Sequence, residues 1–311
     1  MAEMELERIN KSASETPLEL VSSSEMGYHS LVNDLAARVK KNGKIRVILL
    51  AGPSGSGKTT TANLLSDALV ALGEESMVVS LDDFYRNSDD PEYPRLETGE
   101  RDFETVEALD LPFLTKTLSD IAASREFLLP RYDFKAGGRA EVRKIPAMPG
   151  GCVIIEGLHA LNPKVFSGLP KERLLKIFIS VSTNVNDGGV RIISGRKMRF
   201  LRRMIRDSLY RGADAERTLA LWKNVLVGED KYLYPHRNNA DFSFDTFHQF
   251  ELSVMRPFAE KLITPELAAS DEYASTVLTA IRRVCPIDVD LVPDTSLIRE
   301  FIPGGKYEAL Y

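Results

Sequence analysis

Short apolar runs alternate along the chain with longer segments in which apolar residues recur every three or four positions. The runs predict buried β-strands at 47–51, 76–80, 152–156 and 174–180, and a short final strand at 240–244. The helical spacing predicts helices at 28–41, after the first strand at 61–69, from residue 196, and at about 214–225, 249–262 and 266–284. Strands that alternate with helices predict a three-layer α/β fold, in which helices cover both faces of a parallel sheet.

The ends of the chain carry weaker patterns. Residues 1 to about 28 are polar, and we expect a mobile or loosely docked lead-in that forms an N-terminal region, 1–45, with the helix that follows. We expect the main α/β domain to span 46–285. The tail, 286–311, contains several prolines and glycines, and we expect it to pack on the domain as extended chain.

The segment between the second and third strands has the most irregular pattern. Residues 87–101 are polar and predict an exposed loop. A helix is expected to start near residue 102, with Thr105 as its N-cap, and to run to about 124. Two runs at 127–132 and 141–145 flank a Gly-Gly pair, which is typical of a β-hairpin.

The first predicted strand leads directly into Gly52-Pro53-Ser54-Gly55-Ser56-Gly57-Lys58-Thr59, which has the spacing G-x-x-x-x-G-K-[ST]. Small residues let successive backbone N–H groups turn towards a phosphate, and the helix N-terminus adds positive potential. Lys58 can reach the β- and γ-phosphates, and the Thr59 hydroxyl can bind Mg²⁺. A plain Gly/Ser turn is the alternative, which the flanking strand and helix disfavour. The sequence therefore predicts a nucleoside triphosphate site at Gly52, Ser54, Gly55, Ser56, Gly57, Lys58, Thr59 and Thr60.

Two acids follow later strands, at the sheet edge where open α/β proteins bind their ligands. Asp82 ends the second strand and could accept the proton of an attacking hydroxyl. Adjacent Asp83 is its rival for this role, and an acid that only caps a turn is the structural alternative. Glu156 is the only ionisable residue of the third strand, where an acid can hold Mg²⁺ directly or through water.

Four arginines recur at i, i+3, i+4 and i+7 of the helix after residue 196: Arg199, Arg202, Arg203 and Arg206. This spacing places their guanidinium groups on one helical face. Because phosphoryl transfer spreads negative charge over the γ-phosphate, the face favours a lid, at about 190–215, that closes over the triphosphate. A salt-bridged solvent face and a nucleic-acid strip are the alternatives. No aromatic residues alternate with the arginines as a base-stacking platform would require.

Composition narrows the function classes further. The net charge of −5 gives no support to general nucleic-acid binding. Cys152 and Cys285 have no metal-ligand spacing, and Cys152 is predicted to be a core residue. The acidic N-terminus lacks a secretory apolar region, and no apolar run approaches the ~20 residues of a membrane span. We expect a cytoplasmic protein that has neither a nucleic-acid nor a membrane partner.

Several segments occur in the order of uridine kinase motifs, beginning with the glycine loop: 80–85 (SLDDFY), 130–134 (PRYDF), 154–158 (IIEGL), 199–207 (RFLRRMIRD) and Arg211-Gly212. The chain therefore resembles the phosphoribulokinase/uridine kinase family from about Arg46 to Tyr307. It is most similar to bacterial uridine-kinase-like nucleoside kinases, which share segments like 228–235, 250–254 and 296–302. Many of these carry an extra N-terminal domain, and too few residues precede the loop for us to expect one here.

The resemblance implies roles for individual residues. Asp82 would be the base that deprotonates a 5′-hydroxyl, assisted by Lys58, and Thr59 and Glu156 would hold Mg²⁺. Arg203 and Arg206 would belong to the lid that binds phosphate. The implied substrate-binding residues are Asp82, Tyr85, Glu104, Tyr132, Arg139 and Arg199, with Tyr132 at the nucleoside base.

Three departures from the family pattern concern the substrate. Glu104 replaces the aspartate that holds the ribose hydroxyls in uridine-cytidine kinases, Gly137 replaces a base-reading histidine, and Arg217 replaces a glutamine.

The resemblance implies a P-loop kinase fold with a β-hairpin over the acceptor site and a helical lid. The implied reaction transfers the γ-phosphate of ATP, with Mg²⁺, to a uridine- or cytidine-like nucleoside. A sugar, sugar phosphate or vitamin precursor as acceptor, and a non-catalytic nucleotide-binding regulator, remain the alternatives. Relatives that form homo-oligomers make a homo-oligomer an expectation as well.

Overall fold

The structure, a computed structural model, describes residues 3–95, 99–133 and 136–310. Phe134 and Lys135 of the predicted hairpin and residues 96–98 of the predicted loop lie outside the described residues. The strands are β1 (Glu3–Glu5), β2 (Val47–Ala51), β3 (Ser76–Ser80), β4 (Phe127–Asp133), β5 (Gly138–Ile145), β6 (Cys152–Glu156), β7 (Leu174–Ser180), β8 (Asn184–Asp187), β9 (Val190–Ile193) and β10 (Phe242–Asp245). The helices are α1 (Leu6–Glu15), α2 (Pro17–Asn42), α3 (Lys58–Ala71), α4 (Leu111–Ala122), α5 (Pro163–Phe166), α6 (Gly195–Tyr210), α7 (Ala215–Gly228), α8 (Glu251–Leu262), α9 (Pro265–Ser270) and α10 (Glu272–Arg282).

The central sheet has five parallel strands in the order β10-β7-β2-β6-β3. Strand β2, which enters the glycine loop, lies in the middle and pairs on both sides. A central strand of this kind must be apolar on both faces, because helices cover the sheet above and below. The predicted three-layer α/β fold with a parallel sheet is therefore confirmed.

Alternate residues of β2 point into two separate cores. Ile48 and Leu50 lie in the core formed with α2, α3, α6, α8 and α10, whereas Val47 and Leu49 lie in the core formed with α4 and α5. All four side chains are fully buried. The carboxyl end of the sheet, where β2, β3 and β6 end, is left free for the site.

The expected mobile lead-in is wrong. Residues 6–42 form α1 and α2, and Leu6, Ile9 and Val21 are buried in the same core as the glycine-loop helix. The hydroxyl groups of Tyr28 on α2 and Thr61 on α3 lie 2.6 Å apart in a buried hydrogen bond. Helix α2 therefore packs against α3, and α1 packs against α2.

The helix predicted from Thr105 begins later. Residues 106–108 form a short 3-10 turn, and α4 starts after Asp110, whose carboxylate accepts the N–H of Phe113 as an N-cap. The predicted helix at 266–284 is also interrupted, because Asp271 is extended and caps α10 through the N–H of Ala274.

Two smaller sheets complete the structure. The hairpin β4–β5 is antiparallel, as predicted, while β1, β8 and β9 form a three-stranded sheet. The tail, expected to be extended chain, contains short 3-10 turns at 289–291, 297–300 and 308–310, and Leu297, Ile298 and Phe301 are fully buried in the core. Within the described ranges, no helix is both long and apolar enough to span a membrane.

Candidate active site

The phosphate loop, Gly52–Thr59, connects the end of β2 to the first turn of α3. Gly55 and Gly57 have φ angles of +73° and +86°, which glycine adopts without strain. A Cβ atom on Gly52 would lie 2.5 Å from the Ile179 carbonyl oxygen, and one on Gly55 would lie 2.6 Å from that of Arg199. The loop can take this shape only because these positions lack side chains.

The loop fits a bound phosphate chain. The Ser56 hydroxyl is fully buried and finds no hydrogen-bond partner among the described residues, so a polar partner is missing there. The Lys58 ammonium donates to the Pro53 carbonyl oxygen at 3.3 Å, and this long bond leaves it able to turn towards a ligand. Helix α3 begins at Lys58, so the positive end of its dipole lies at the loop.

A cavity of about 240 Å³ opens beside the loop; we call it the phosphate cavity. Of the predicted site residues it brings together Ser54, Gly55, Gly57, Lys58, Thr59, Asp82, Tyr85, Glu104, Glu156, Arg203 and Arg206. Gly52, Ser56, Thr60, Tyr132, Arg139 and Arg199 do not line it. The strand ends of β3 and β6 deliver Asp82 and Glu156, which explains why residues far apart in sequence meet here.

Burial alters the acidity of both strand-end acids. The pKa of Glu156 is raised to about 7 by burial, against the attraction of Lys58 and with further repulsion from Asp82 and Glu300. Solvent in the cavity reaches the Asp82 side chain, but protein surrounds the cavity so closely that burial raises the pKa of this carboxyl as well. A base with a raised pKa is better matched to proton transfer near neutral pH.

Asp83 points away from the phosphate cavity. Its Oδ1 accepts the backbone N–H of Tyr132 at 3.2 Å and so ties the hairpin to the end of β3. Of the two rival acids, only Asp82 lines the cavity.

The expectation that four arginines face the triphosphate is wrong for two of them. Arg199 is 1% exposed and forms a two-bond ion pair with Glu229, at 2.8 and 2.9 Å. Arg202 is fully buried and bonds Glu251 at 2.6 Å. Both are held inside the protein by acids that lie far away in sequence, so the geometry gives no support to substrate binding by Arg199.

Arg199 and Glu229 instead hold the phosphate loop. The Ser54 N–H donates to Glu229 Oε1, and Arg199 Nη1 donates to the Ser54 carbonyl oxygen, both at 2.8 Å. Arg202 Nη1 reaches the Gly55 carbonyl oxygen at 3.3 Å. The predicted lid helix, α6, is thus packed directly on the loop.

Arg203 and Arg206 do line the phosphate cavity. Arg203 donates to the Ser54 hydroxyl at 2.9 Å and to Asp207 at 3.1 Å. Arg206 donates to Asp207 at 3.0 Å and to Glu300 at 3.5 Å. Sequence analysis assigned no role to Glu229, Glu300 or Arg211, which also line this cavity. All three lie in segments that carry the family resemblance, and Glu300 is in addition an acid within a buried apolar run.

A second cavity, of about 510 Å³, lies under the hairpin; we call it the hairpin cavity. Its lining includes Tyr85 and Tyr132, whose ring centroids are 5.8 Å apart, together with Phe103 and Arg101. Tyr85 also lines the phosphate cavity, so the two spaces meet at its ring. Gly137 borders the hairpin cavity with φ +69°, and a Cβ atom there would lie 2.7 Å from the Ser88 hydroxyl. A histidine at this position would be strained and crowded.

Arg139, predicted to bind substrate, lies outside both cavities. It pairs with Asp110 at 2.8 Å, and its guanidinium lies 4.7 Å from the centre of the Phe113 ring. This position ties the hairpin to the start of α4. Glu104 does reach the phosphate cavity, where burial raises the pKa of its carboxyl against the attraction of Arg203.

Two negative observations limit the site. A separate cavity of about 570 Å³, between β9 and α9–α10, contains none of the predicted site residues. Among the residues that the structure places, no three or more His, Cys, Asp or Glu side chains are grouped to hold a metal ion. Mg²⁺ in phosphoryl-transfer sites needs fewer, because it keeps waters and binds one or two protein oxygens together with phosphate. Thr59 and Glu156 fit that requirement.

Comparison with known proteins matches the chain to a family of kinases. The model of the phosphoribulokinase / uridine kinase family matches residues 47–253. Uridine-cytidine kinase C of Dictyostelium discoideum is 28% identical over 171 residues, which are 55% of this chain and 34% of that protein. Uridine kinase of Schizosaccharomyces pombe is 26% identical over 261 residues, 84% of this chain and 49% of that protein. The chain thus spans between a third and a half of the length of these two relatives. In structure, it is similar to D-glycerate 3-kinase from Cryptococcus neoformans, with a TM-score of 0.47, 16% identity, and coverage of 67% of this chain and 89% of that one.

Proposed function

The chain belongs to the phosphoribulokinase/uridine kinase family, and from this premise we propose that it transfers the γ-phosphate of ATP to the 5′-hydroxyl of a uridine- or cytidine-like nucleoside. One observation carries the proposal: an acid suited to act as a base, Asp82, shares a cavity with the phosphate loop and with three arginines, Arg203, Arg206 and Arg211. A tyrosine-lined space for an acceptor adjoins that cavity.

Each group has a chemical task in this reaction. Asp82 would accept the proton of the acceptor hydroxyl, which makes that oxygen a better nucleophile. Lys58, Arg203 and Arg206 would stabilise the negative charge that develops on the transferred phosphoryl group. Because Arg203 and Arg206 are already held by hydrogen bonds within the fold, these two groups need little reorganisation during the reaction.

Thr59 and Glu156 would hold Mg²⁺, which would neutralise negative charge on the phosphates when bound. Glu156 must lose its proton to act as a ligand, and the positive charges of Lys58 and the ion favour that loss.

The acceptor is proposed from the hairpin cavity. Tyr85 and Tyr132 provide aromatic faces against which a nucleobase can stack. A different small hydroxyl acceptor is the second candidate, since Gly137 offers no side chain to read a base and Glu104 stands where relatives have aspartate. We keep cytoplasmic localisation and homo-oligomer formation as predictions.

The test is ADP release from Mg-ATP in the presence of nucleosides, sugars and sugar phosphates. We expect one nucleoside to stimulate release, and Asp82→Asn to lower kcat by about 10²- to 10⁴-fold, the usual contribution of a general base. Asp83→Asn is the matched control, and we expect less than a tenfold loss. Stimulation by sugars alone would overturn the nucleoside assignment, and tight ATP binding without any turnover would favour a regulator.

A further inference from the structure

The tail segment, residues 296–302, brings an acid to the phosphate loop from outside residues 47–253, the part of the chain that the family model matches. Leu297, Ile298, Phe301 and Ile302 are fully buried and anchor the segment in the core. Glu300 lies among them and is only 3% exposed. The family model matches residues 47–253, so Glu300 lies C-terminal to the matched region.

Glu300 contacts two parts of the phosphate cavity. One carboxylate oxygen accepts the N–H of Thr60 at 3.3 Å and its hydroxyl at 2.8 Å. The other accepts Arg206 Nη1 at 3.5 Å. Thr60 is the third residue of α3, immediately after the predicted Mg²⁺ ligand Thr59, and Arg206 lines the cavity.

These contacts fix the direction of Arg206. Its Nε and Nη2 both reach Asp207 Oδ1, at 3.2 and 3.0 Å, while Nη1 reaches Glu300. An arginine side chain has many rotamers, and two acceptors on different sides of the guanidinium leave it few. Asp207 belongs to the same helix as Arg206, whereas Glu300 connects this guanidinium to Thr60 in the first turn of α3.

The tail segment is itself held in place. Leu297 packs on Gly57, where a Cβ atom would lie 2.7 Å from Leu297 Cδ1. The Ser296 hydroxyl donates to Glu25 on α2, the helix that also bonds α3 through Tyr28 and Thr61. Glu300 is therefore presented by a rigid element.

We propose that Glu300 is a positioning residue that aims Arg206 at the terminal phosphate of the bound nucleotide while it caps the start of α3. The inference rests on the proposed function, because it takes Arg206 as a phosphate-binding group. Glu300 itself touches no reacting atom.

The test compares the affinities of the full chain for Mg-ADP and for a non-hydrolysable Mg-ATP analogue, measured by calorimetry. We expect Arg206→Gln to reduce the preference for the triphosphate about tenfold, as the loss of a charge-assisted hydrogen bond does. Glu300→Gln should reduce it by a similar factor, and the double variant should show no further loss. Asp294→Asn, an exposed acid in the same tail, is the matched control and should leave the preference unchanged.

An unchanged preference for the triphosphate in Glu300→Gln would overturn the inference, and so would additive losses in the double variant. Tighter nucleotide binding by Glu300→Gln would also overturn it, because it would indicate that Glu300 competes with phosphate. If Glu300→Gln does not fold, Glu300→Asp keeps the charge on a shorter side chain, and an unchanged preference there would count equally against it. A wild-type chain that binds neither nucleotide would overturn the proposed function as well. Nucleotide binding without turnover on any acceptor would overturn the proposed reaction alone.

Discussion

The phosphate cavity and the hairpin cavity meet at Tyr85, but their walls are built differently. Buried ion pairs hold the wall of the phosphate cavity: Arg199–Glu229 and Arg202–Glu251 are at most 1% exposed and bond the loop backbone. The hairpin cavity is lined by Tyr85, Tyr132 and the half-exposed Phe103, all close to loops and to a hairpin.

Because of this difference, we expect the phosphate cavity to carry the chemistry and the hairpin cavity to determine the choice of acceptor. Fixed charges suit a task that is the same in every turnover, namely binding and stabilising a phosphoryl group. Aromatic side chains on loops can change without disturbing the core, so the acceptor can differ between relatives that share the loop. Substitutions on the two sides should therefore have different consequences.

The largest effect should come from breaking the pair beneath the phosphate loop. Arg199→Met leaves Glu229 buried without its partner, and we expect a loss of about 3–5 kcal/mol in the free energy of unfolding. Chemical denaturation measures this loss. The matched control is Arg196→Met on the same helix, whose half-exposed pair with Asp230 should contribute less than about 1 kcal/mol. Equal losses of unfolding free energy in the two variants would contradict the view that the buried Arg199–Glu229 pair holds the phosphate loop.

Glu156 should make stability depend on pH. Its carboxyl has a pKa of about 7 in the folded chain and an ordinary value of 4.5 in the unfolded chain, so the folded state binds the proton more tightly. The resulting stabilisation is complete below pH 4.5 and is lost as pH rises to 7. In EDTA at pH 8, Glu156→Gln should therefore be more stable than wild type by roughly 2–3 kcal/mol, and by much less at pH 4.5. Glu75→Gln, an exposed acid, should follow the wild-type curve.

A smaller effect, confined to the acceptor, is expected in the hairpin cavity. Tyr132→Ala removes a stacking surface of about 1–2 kcal/mol and should raise the acceptor KM roughly 5- to 30-fold. The KM for ATP should stay within twofold, and Tyr132→Phe should retain most of the affinity. Leu128→Ala, exposed on the same strand, is the control. A matching rise in the KM for ATP would show that the two cavities do not act separately.

The smallest effect should come from Arg139. Because it pairs with Asp110 and packs on Phe113 outside both cavities, Arg139→Gln should cost less than about 1 kcal/mol and leave the acceptor KM within twofold. Steady-state kinetics and thermal unfolding provide the two numbers. A tenfold rise in the acceptor KM would restore the substrate-binding role that the resemblance implied.

The local pattern of apolar residues was enough to predict four strands of the central sheet. The observed bounds of β2, β3, β6 and β7 are those of the apolar runs, because a strand buried on both faces needs an uninterrupted run. The helix at 28–41 was predicted, but α1 and residues 17–27 of α2 were missed, although Leu6, Ile9 and Ala13 have helical spacing. Their apolar face also contains Glu25, a buried acid whose partners, His29, His248 and Ser296, are mostly far away in sequence.

The candidate site also contains residues that local patterns predict and residues that they do not. The phosphate loop is a contiguous motif, and strand ends converge by topology, so Lys58, Thr59, Asp82 and Glu156 were predictable. The helical spacing placed the arginines correctly on α6, but their directions depend on Glu229, Glu251 and Glu300, which no local pattern links to them. Long-range acid partners are therefore the part of the site that the sequence did not reveal.

The bond between Thr60 and Glu300 can form only after residue 300 has been synthesised. These residues are 240 positions apart. At translation rates of about 5–20 residues per second, the phosphate loop leaves the ribosome roughly 12–48 s before the acid that completes its surroundings. During that interval the nascent chain contains the glycine loop without the contact from Glu300 to Thr60. A chain released before residue 300 would lack this contact permanently.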